Sequence, residues 1–164
     1  MDFAKLSGPF PATQISWRVG STNRDKTKGM ALAYLDARDV MERLDTVCTP
    51  AGWQARYPFA GCCEIGIRHY FVDCSPGAGV GSMKDEWVWK SNGAGQSDIE
   101  AEKGQFSDAF KRAAVLWGIG RYLYALPSPW VDLVDGRRFS DDALATLTQK
   151  LDAWQKRHFA ASEE

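Results

Sequence analysis

The stretch Cys62-Cys63-Glu64-Ile65-Gly66-Ile67-Arg68-His69-Tyr70-Phe71 decides the fold. Cys63, Ile65, Ile67, His69 and Phe71 alternate with Glu64, Gly66, Arg68 and Tyr70. Successive side chains of a strand point to opposite faces, so this pattern gives a strand with one covered and one wetter face. Adjacent Cys62 and Cys63 then face opposite ways, and the strand runs on to Cys74. Trp53 to Phe59 before it and Glu86 to Lys90 after it are also rich in aromatic and β-branched residues. Ala60-Gly61 and Ser75-Pro76-Gly77-Ala78-Gly79-Val80-Gly81 separate the three segments. The expectation is a meander of three antiparallel strands with a helix on its covered face.

That helix follows directly. Ser97-Asp98-Ile99-Glu100 fits a capping box, in which a hydroxyl and a carboxylate satisfy the first free N–H groups of a helix. Ile99, Phe106, Phe110, Ala113 and Trp117 share one face, and Gly118-Ile119-Gly120 supplies the stop. Upstream, Met30, Tyr34, Ala37, Met41, Leu44 and Cys48 keep helical spacing and predict an amphipathic helix ending near Thr49-Pro50. Downstream of Pro127 and Pro129, residues Ser140 to Phe159 carry Leu144, Leu147, Leu151 and Trp154 at helical spacing.

The fold class is therefore α+β: a β-β-β-α core, a three-stranded antiparallel meander on a long helix, with flanking N- and C-terminal helices. Residues 1–27, with Gly8, Pro9, Pro11 and Gly20, read as an irregular arm. Residues 28–130 read as the core domain and 131–164 as its helical extension.

The chain has 164 residues, 45% hydrophobic and 25% charged, which suits one globular domain and excludes a disordered or fibrous protein. No apolar run approaches the roughly 20 residues that span a bilayer. The start, Met1-Asp2-Phe3-Ala4-Lys5, lacks the apolar stretch of a secretory signal. The expected location is the cytoplasm, with no membrane partner. Cys48, Cys62, Cys63 and Cys74 show no C-x-x-C spacing, and His69 and His158 lie far apart, so no metal and no cofactor are expected.

The net charge of −1 and pI near 6.1 do not announce a nucleic-acid binder. The cations are clustered, however. Arg18, Arg24, Lys26 and Lys28 against Asp25 leave +3 in a short stretch, and Lys111-Arg112, Arg121 and Arg137-Arg138 add further basic points. Lys111 and Arg112 sit mid-helix in Phe106-Ser107-Asp108-Ala109-Phe110-Lys111-Arg112-Ala113. With Phe110 at the centre of the buried face, a turn of about 100° per residue puts Lys111 on its flank and Arg112 on the far side. Both can reach a phosphate backbone, although from spacing alone a solvated face with Asp108 and Arg112 paired at i, i+4 is the better reading.

Trp53, Tyr57, Tyr70, Trp87 and Trp89 make the sheet aromatic-rich, as in proteins that hold single strands without reading sequence. Trp87 and Trp89 share a face, which suits core or subunit packing better than base stacking. Gly77, Gly79 and Gly81 lack the following helix and Gly-Lys-Ser/Thr ending of a phosphate loop. Asp98, Glu100 and Glu102 have nuclease chemistry, but carboxylates in a first helical turn are what the macrodipole favours.

Two ordered stretches resemble a known family. Tyr34-Leu35-Asp36-Ala37-Arg38-Asp39-Val40, running on to Ala51-Gly52-Trp53, resembles the first helix and Gly-Trp of the Rad fifty-two/Rad twenty-two family. Glu100 to Lys103, then Ser107-Asp108-Ala109-Phe110-Lys111-Arg112-Ala113 and Trp117-Gly118, resemble its second signature. Phage and prophage members carry forms similar to Trp89-Lys90-Ser91-Asn92-Gly93-Ala94-Gly95 and Trp117-Gly118-Ile119-Gly120-Arg121-Tyr122-Leu123-Tyr124. The likeness spans about residues 28–126.

The resemblance implies a non-enzymatic protein that binds single-stranded DNA and anneals complementary strands without ATP in recombination and repair. It implies a homo-oligomer, a ring or short helical assembly, with a single-strand-binding protein or recombinase as further partner. Lys111 and Arg112 match the family's backbone-contacting pair, and Arg38, Lys90, Arg121 and Lys103 are secondary DNA-binding candidates. Val115 stands where eukaryotic members carry another arginine, and Arg38 is one position out of register. Past the last helix only Ala160 to Glu164 follow, so the long partner-binding tail of eukaryotic members is not expected. The alternatives are a passive single-stranded nucleic-acid-binding protein and a metal-dependent nuclease.

Overall fold

The structure, a computed structural model, describes residues 2–72, 83–95 and 103–159. Along them run β1 (Ser16–Thr22), β2 (Lys28–Tyr34), α1 (Ala37–Cys48), β3 (Trp53–Arg56), β4 (Cys62–Val72), β5 (Met83–Gly93), α2 (Lys103–Leu116), β6 (Trp130–Asp132) and α3 (Asp141–Phe159). The α+β class holds, with two three-stranded antiparallel sheets, β3-β4-β5 and β1-β2-β6. The chain divides into two compact units, Met1–Leu6 with Val40–Ile119 and Ser7–Asp39 with Gly120–Glu164. The arm, core and extension ranges read from sequence do not coincide with these units.

The first unit is the expected β-β-β-α arrangement. Cys63, Ile65 and Ile67 of β4 are fully buried, as are Phe110, Ala113 and Ala114 of α2. His69 is half-buried between Phe3, at 4.5 Å, and Trp117, at 6.0 Å, and Phe71 is exposed, so the covered face fades along β4. Phe106 departs from the expected buried stripe: it is 45% exposed and stands edge-on to Tyr57, with centroids 5.3 Å apart. The helix α1 adds Val40, Leu44 and Cys48 to the core and ends at Cys48, followed by Thr49, whose φ of 64° is left-handed. Gly52 then passes so close to the Cys48 carbonyl oxygen that a Cβ there would overlap it. This is why glycine precedes Trp53, whose indole donates to Asp45 Oδ1 at 2.7 Å. The capping box at 97–100 and the tail of the second strand at Asp73-Cys74 lie outside the described residues.

The second unit corrects two expectations. Residues 16–22 form β1, so the segment read as an irregular arm contributes a strand. Residues 28–34 form β2 where the spacing from Met30 predicted the start of a helix. The reason is long-range pairing: β2 lies between β1, with Trp17 opposite Ala33, and β6, with Gly29 opposite Val131. The helix begins only after a local cap. Asp36 Oδ1 accepts from Arg38 N at 2.9 Å, and Asp39 Oδ2 accepts from Asp36 N at 3.1 Å, a reciprocal cap that marks the true start.

Ala31, Phe139 and Leu147 form this unit's buried cluster, with Trp17, Val19, Val131 and Leu133 packed against it. The helix α3 runs as expected. Its buried Gln155 donates from Nε2 to Phe10 O at 2.8 Å and to Tyr122 Oη at 3.2 Å, and Phe10 N donates to the same hydroxyl at 3.2 Å. A buried amide satisfied in this way holds the chain start near residue 10 against α3.

Because Phe110 is 1% exposed and anchors α2 on its sheet, Phe110→Ala is expected to destabilise the protein by about 3–5 kcal/mol. The shift of the urea unfolding midpoint measures it. Phe106→Ala, at an exposed position, is expected to cost much less.

Candidate nucleic-acid interface

Packing of α2 on β4 and β5 fixes which way its cations point. With Phe110 inward, Lys111 is half-buried on the flank and Arg112 is exposed, as the helical angle predicts. Arg112 Nε donates to Asp108 Oδ2 at 3.0 Å, and both side chains are about half exposed, 51% and 49%. An i, i+4 pair in solvent is worth about 0.3–0.5 kcal/mol, so a phosphate can displace Asp108 at little cost.

Strand β5 clamps the same helix. Lys90 Nζ donates to Leu116 O at 2.9 Å and lies 4.2 Å from the Trp117 ring centroid. It therefore places a cation at the negative end of α2, where free carbonyls and the helix dipole attract it. Asn92 Nδ2 donates to Arg112 O at 3.2 Å. Trp117 Nε1 donates to Ile65 O at 3.1 Å, tying the end of the helix to β4. Lys90, Lys111 and Arg112 thus belong to one rigidly packed unit.

The other candidates are placed differently. Arg38, in the first turn of α1, and Arg121, in a 3-10 turn at Arg121–Ala125, are exposed and belong to the second unit. Lys103 opens α2, but its side chain lies outside the described residues, as do the glycines at 77–81 and the acids at 98, 100 and 102.

Sequence reasoning missed the opposite face of the first sheet. Arg56, within the segment read as the first strand of the meander, places its guanidinium 3.7 Å from the Trp89 ring centroid. Trp89 lies across Gly66, where a Cβ would meet its ring carbons at 2.8 Å. Trp87 stands 6.0 Å from Trp89 on the same face, as strand alternation predicts. Arg68 is paired with Asp85 beside them. Only the register Arg56 opposite Glu64 and Gly66 opposite Trp89 brings these residues together.

Burial pushes the Cys63 thiol up to about 11, although a hydrogen bond with Tyr57 works the other way, and burial raises Cys48 as well. Among the described residues no group of His, Cys, Asp and Glu could hold a metal ion, and no helix is long and apolar enough to cross a membrane. Two adjacent cations on a helix held by its apolar face are groups of the kind that contact phosphates.

The chain accordingly has an α+β build in which a helix carrying two adjacent cations packs on a meander. It belongs to the Rad52/22 family of double-strand break repair proteins, which it matches over residues 3–68 and 76–138. It is 36% identical over 134 residues to the single-stranded DNA-binding protein DdrA of Deinococcus radiodurans, covering 82% of this chain and 60% of that protein. It is 34% identical over 140 residues to DdrA of Deinococcus deserti, covering 82% and 62%. The chain thus spans about three-fifths of the length of these curated relatives. No solved structure matches it significantly.

Cys63 stays protonated in the fold to about pH 11, above its ordinary value of 9.0. Its contribution to stability is therefore complete below pH 9 and lost as pH rises through 11. Urea midpoints between those values are expected to fall more steeply for the wild type than for Cys63→Ala.

Proposed function

We propose that the chain binds single-stranded DNA without nucleotide and anneals complementary strands in recombination and repair. Membership of the repair family and the naming of both relatives for single-stranded DNA binding support this reading. The observation that carries the site is the Lys111-Arg112 pair, turned outward because Phe110 is turned inward.

In this reading Lys111 and Arg112 contact phosphates, with Arg38, Arg121 and Lys103 contributing. Lys90 acts mainly by fixing the end of α2, since its ammonium already serves Leu116 O. Phosphate contacts position a strand without reading it, which suits a protein that accepts any sequence. Neutralising repulsion between two strands while leaving bases accessible speeds pairing without a covalent step, so no cofactor is required. Copies of the chain assemble as a ring or short helical oligomer that extends the basic path. A single-strand-binding protein or recombinase is the proposed further partner.

The test is annealing of two labelled complementary oligonucleotides in EDTA without nucleotide, with strand length checked afterwards. Faster annealing of intact strands is expected. Slowed annealing would indicate a passive binder, and shortened strands on adding a divalent ion would indicate a nuclease. For Lys111→Ala with Arg112→Ala, single-strand affinity is expected to fall and its log–log salt slope to lessen by about 1.4, at roughly 0.7 for each phosphate no longer neutralised. An unchanged slope would remove both residues from the site.

A further inference from the structure

Unit two carries a groove that the proposed DNA site does not use. Its volume is about 260 Å³, and its walls include Trp17 of β1, Pro127, and Leu151 and Trp154 of α3. Drug-sized ligands occupy pockets of roughly 300–1,000 Å³, so this groove suits a bulky side chain or two and not a whole cofactor. Two cations, Lys150 and Arg157, also line it. With Trp154 they stand at i, i+4 and i+7 on α3, a spacing that puts all three on one side of the helix.

Both cations are exposed, and the nearby acid Asp152 is engaged with Lys156 at 2.7 Å. Arg157 lies in the last turn of α3, where the helix dipole alone accounts for a cation. Lys150 lies nearly two turns earlier and has no such explanation. An apolar well flanked by two positive charges complements a ligand that joins a large apolar side chain to carboxylates.

We propose that this groove docks an acidic peptide segment of a partner protein, seating an apolar or aromatic side chain between Trp17 and Trp154 with its carboxylates on Lys150 and Arg157. Nucleic acid satisfies this chemistry less well. Bases stack on open aromatic faces, whereas Trp154 is stacked on His158 at 4.1 Å, and the leucines and proline of the wall suit an apolar side chain better than a polar base. An apolar anchor in a pocket with charges at its rim is the usual division of labour in peptide recognition. The proposal does not depend on where the single strand lies.

The experiment measures fluorescence anisotropy of a labelled peptide, a run of aspartates ending in leucine and phenylalanine, titrated with the full chain. Saturable binding is expected, weakened about tenfold or more when serines replace the two apolar residues or lysines replace the aspartates. Lys150→Glu with Arg157→Gln is expected to weaken binding of the peptide by about tenfold or more while single-stranded DNA binding is unchanged. Ala153→Tyr, at an exposed lining position, is expected to block the groove without altering charge. Retained DNA binding in each variant reports that the fold is intact. The proposal is overturned if the wild type does not bind the peptide, if neither variant weakens it, or if an oligonucleotide displaces it and the charge variant loses DNA binding in parallel.

Discussion

Burial of one aromatic ring organises the first unit. Phe110 of α2 packs at 1% exposure on a sheet whose central strand presents Cys63, Ile65 and Ile67, each fully buried. The alanines at 109, 113 and 114 let the helix approach closely, and their exposure is zero. Because a helix turns about 100° per residue, fixing Phe110 inward leaves its two successors no choice of direction. Lys111 on the flank and Arg112 in solvent are consequences of the core. Lys90, Asn92 and Trp117 add hydrogen bonds that stop the helix sliding or rotating on the sheet.

The same logic separates a cation locked into the packing from one held only by a solvated pair. Lys90, which caps α2 and lies over an indole, is constrained, and removing it disturbs the end of that helix. Arg112 is the reverse case, its guanidinium paired with a solvated carboxylate one turn away. Weak intramolecular pairing keeps a cation oriented in the free protein yet available to a polyanion.

The second unit solves a different problem with different chemistry. Its sheet has only short β6 on one side of β2, and its core is correspondingly small. The Gln155, Tyr122 and Phe10 hydrogen bonds supply directionality that apolar contacts lack. The aromatic residues of α3 are shared between that packing and the open groove beside it, with Trp154 close to Tyr122 and Phe159 as well as lining the groove.

Local chemistry in the sequence determined the meander, the helix across it, the last helix and the direction of Lys111 and Arg112. Each follows from a period of two or of 3.6 read within one segment. The family resemblance was also legible, because Gly52 and the Lys111-Arg112 segment are held by contacts within one unit. Tertiary structure decided that residues 28–34 are a strand, since their partners include Trp130, Val131 and Asp132, far along the chain, and residues 16–22 pair with that strand as its neighbour. It also decided that Arg56 lies over Trp89, and that Trp17 and Trp154 line one groove. A periodicity reports which face of an element is apolar. Which distant element that face or edge meets is a property of packing, and no local window contains it.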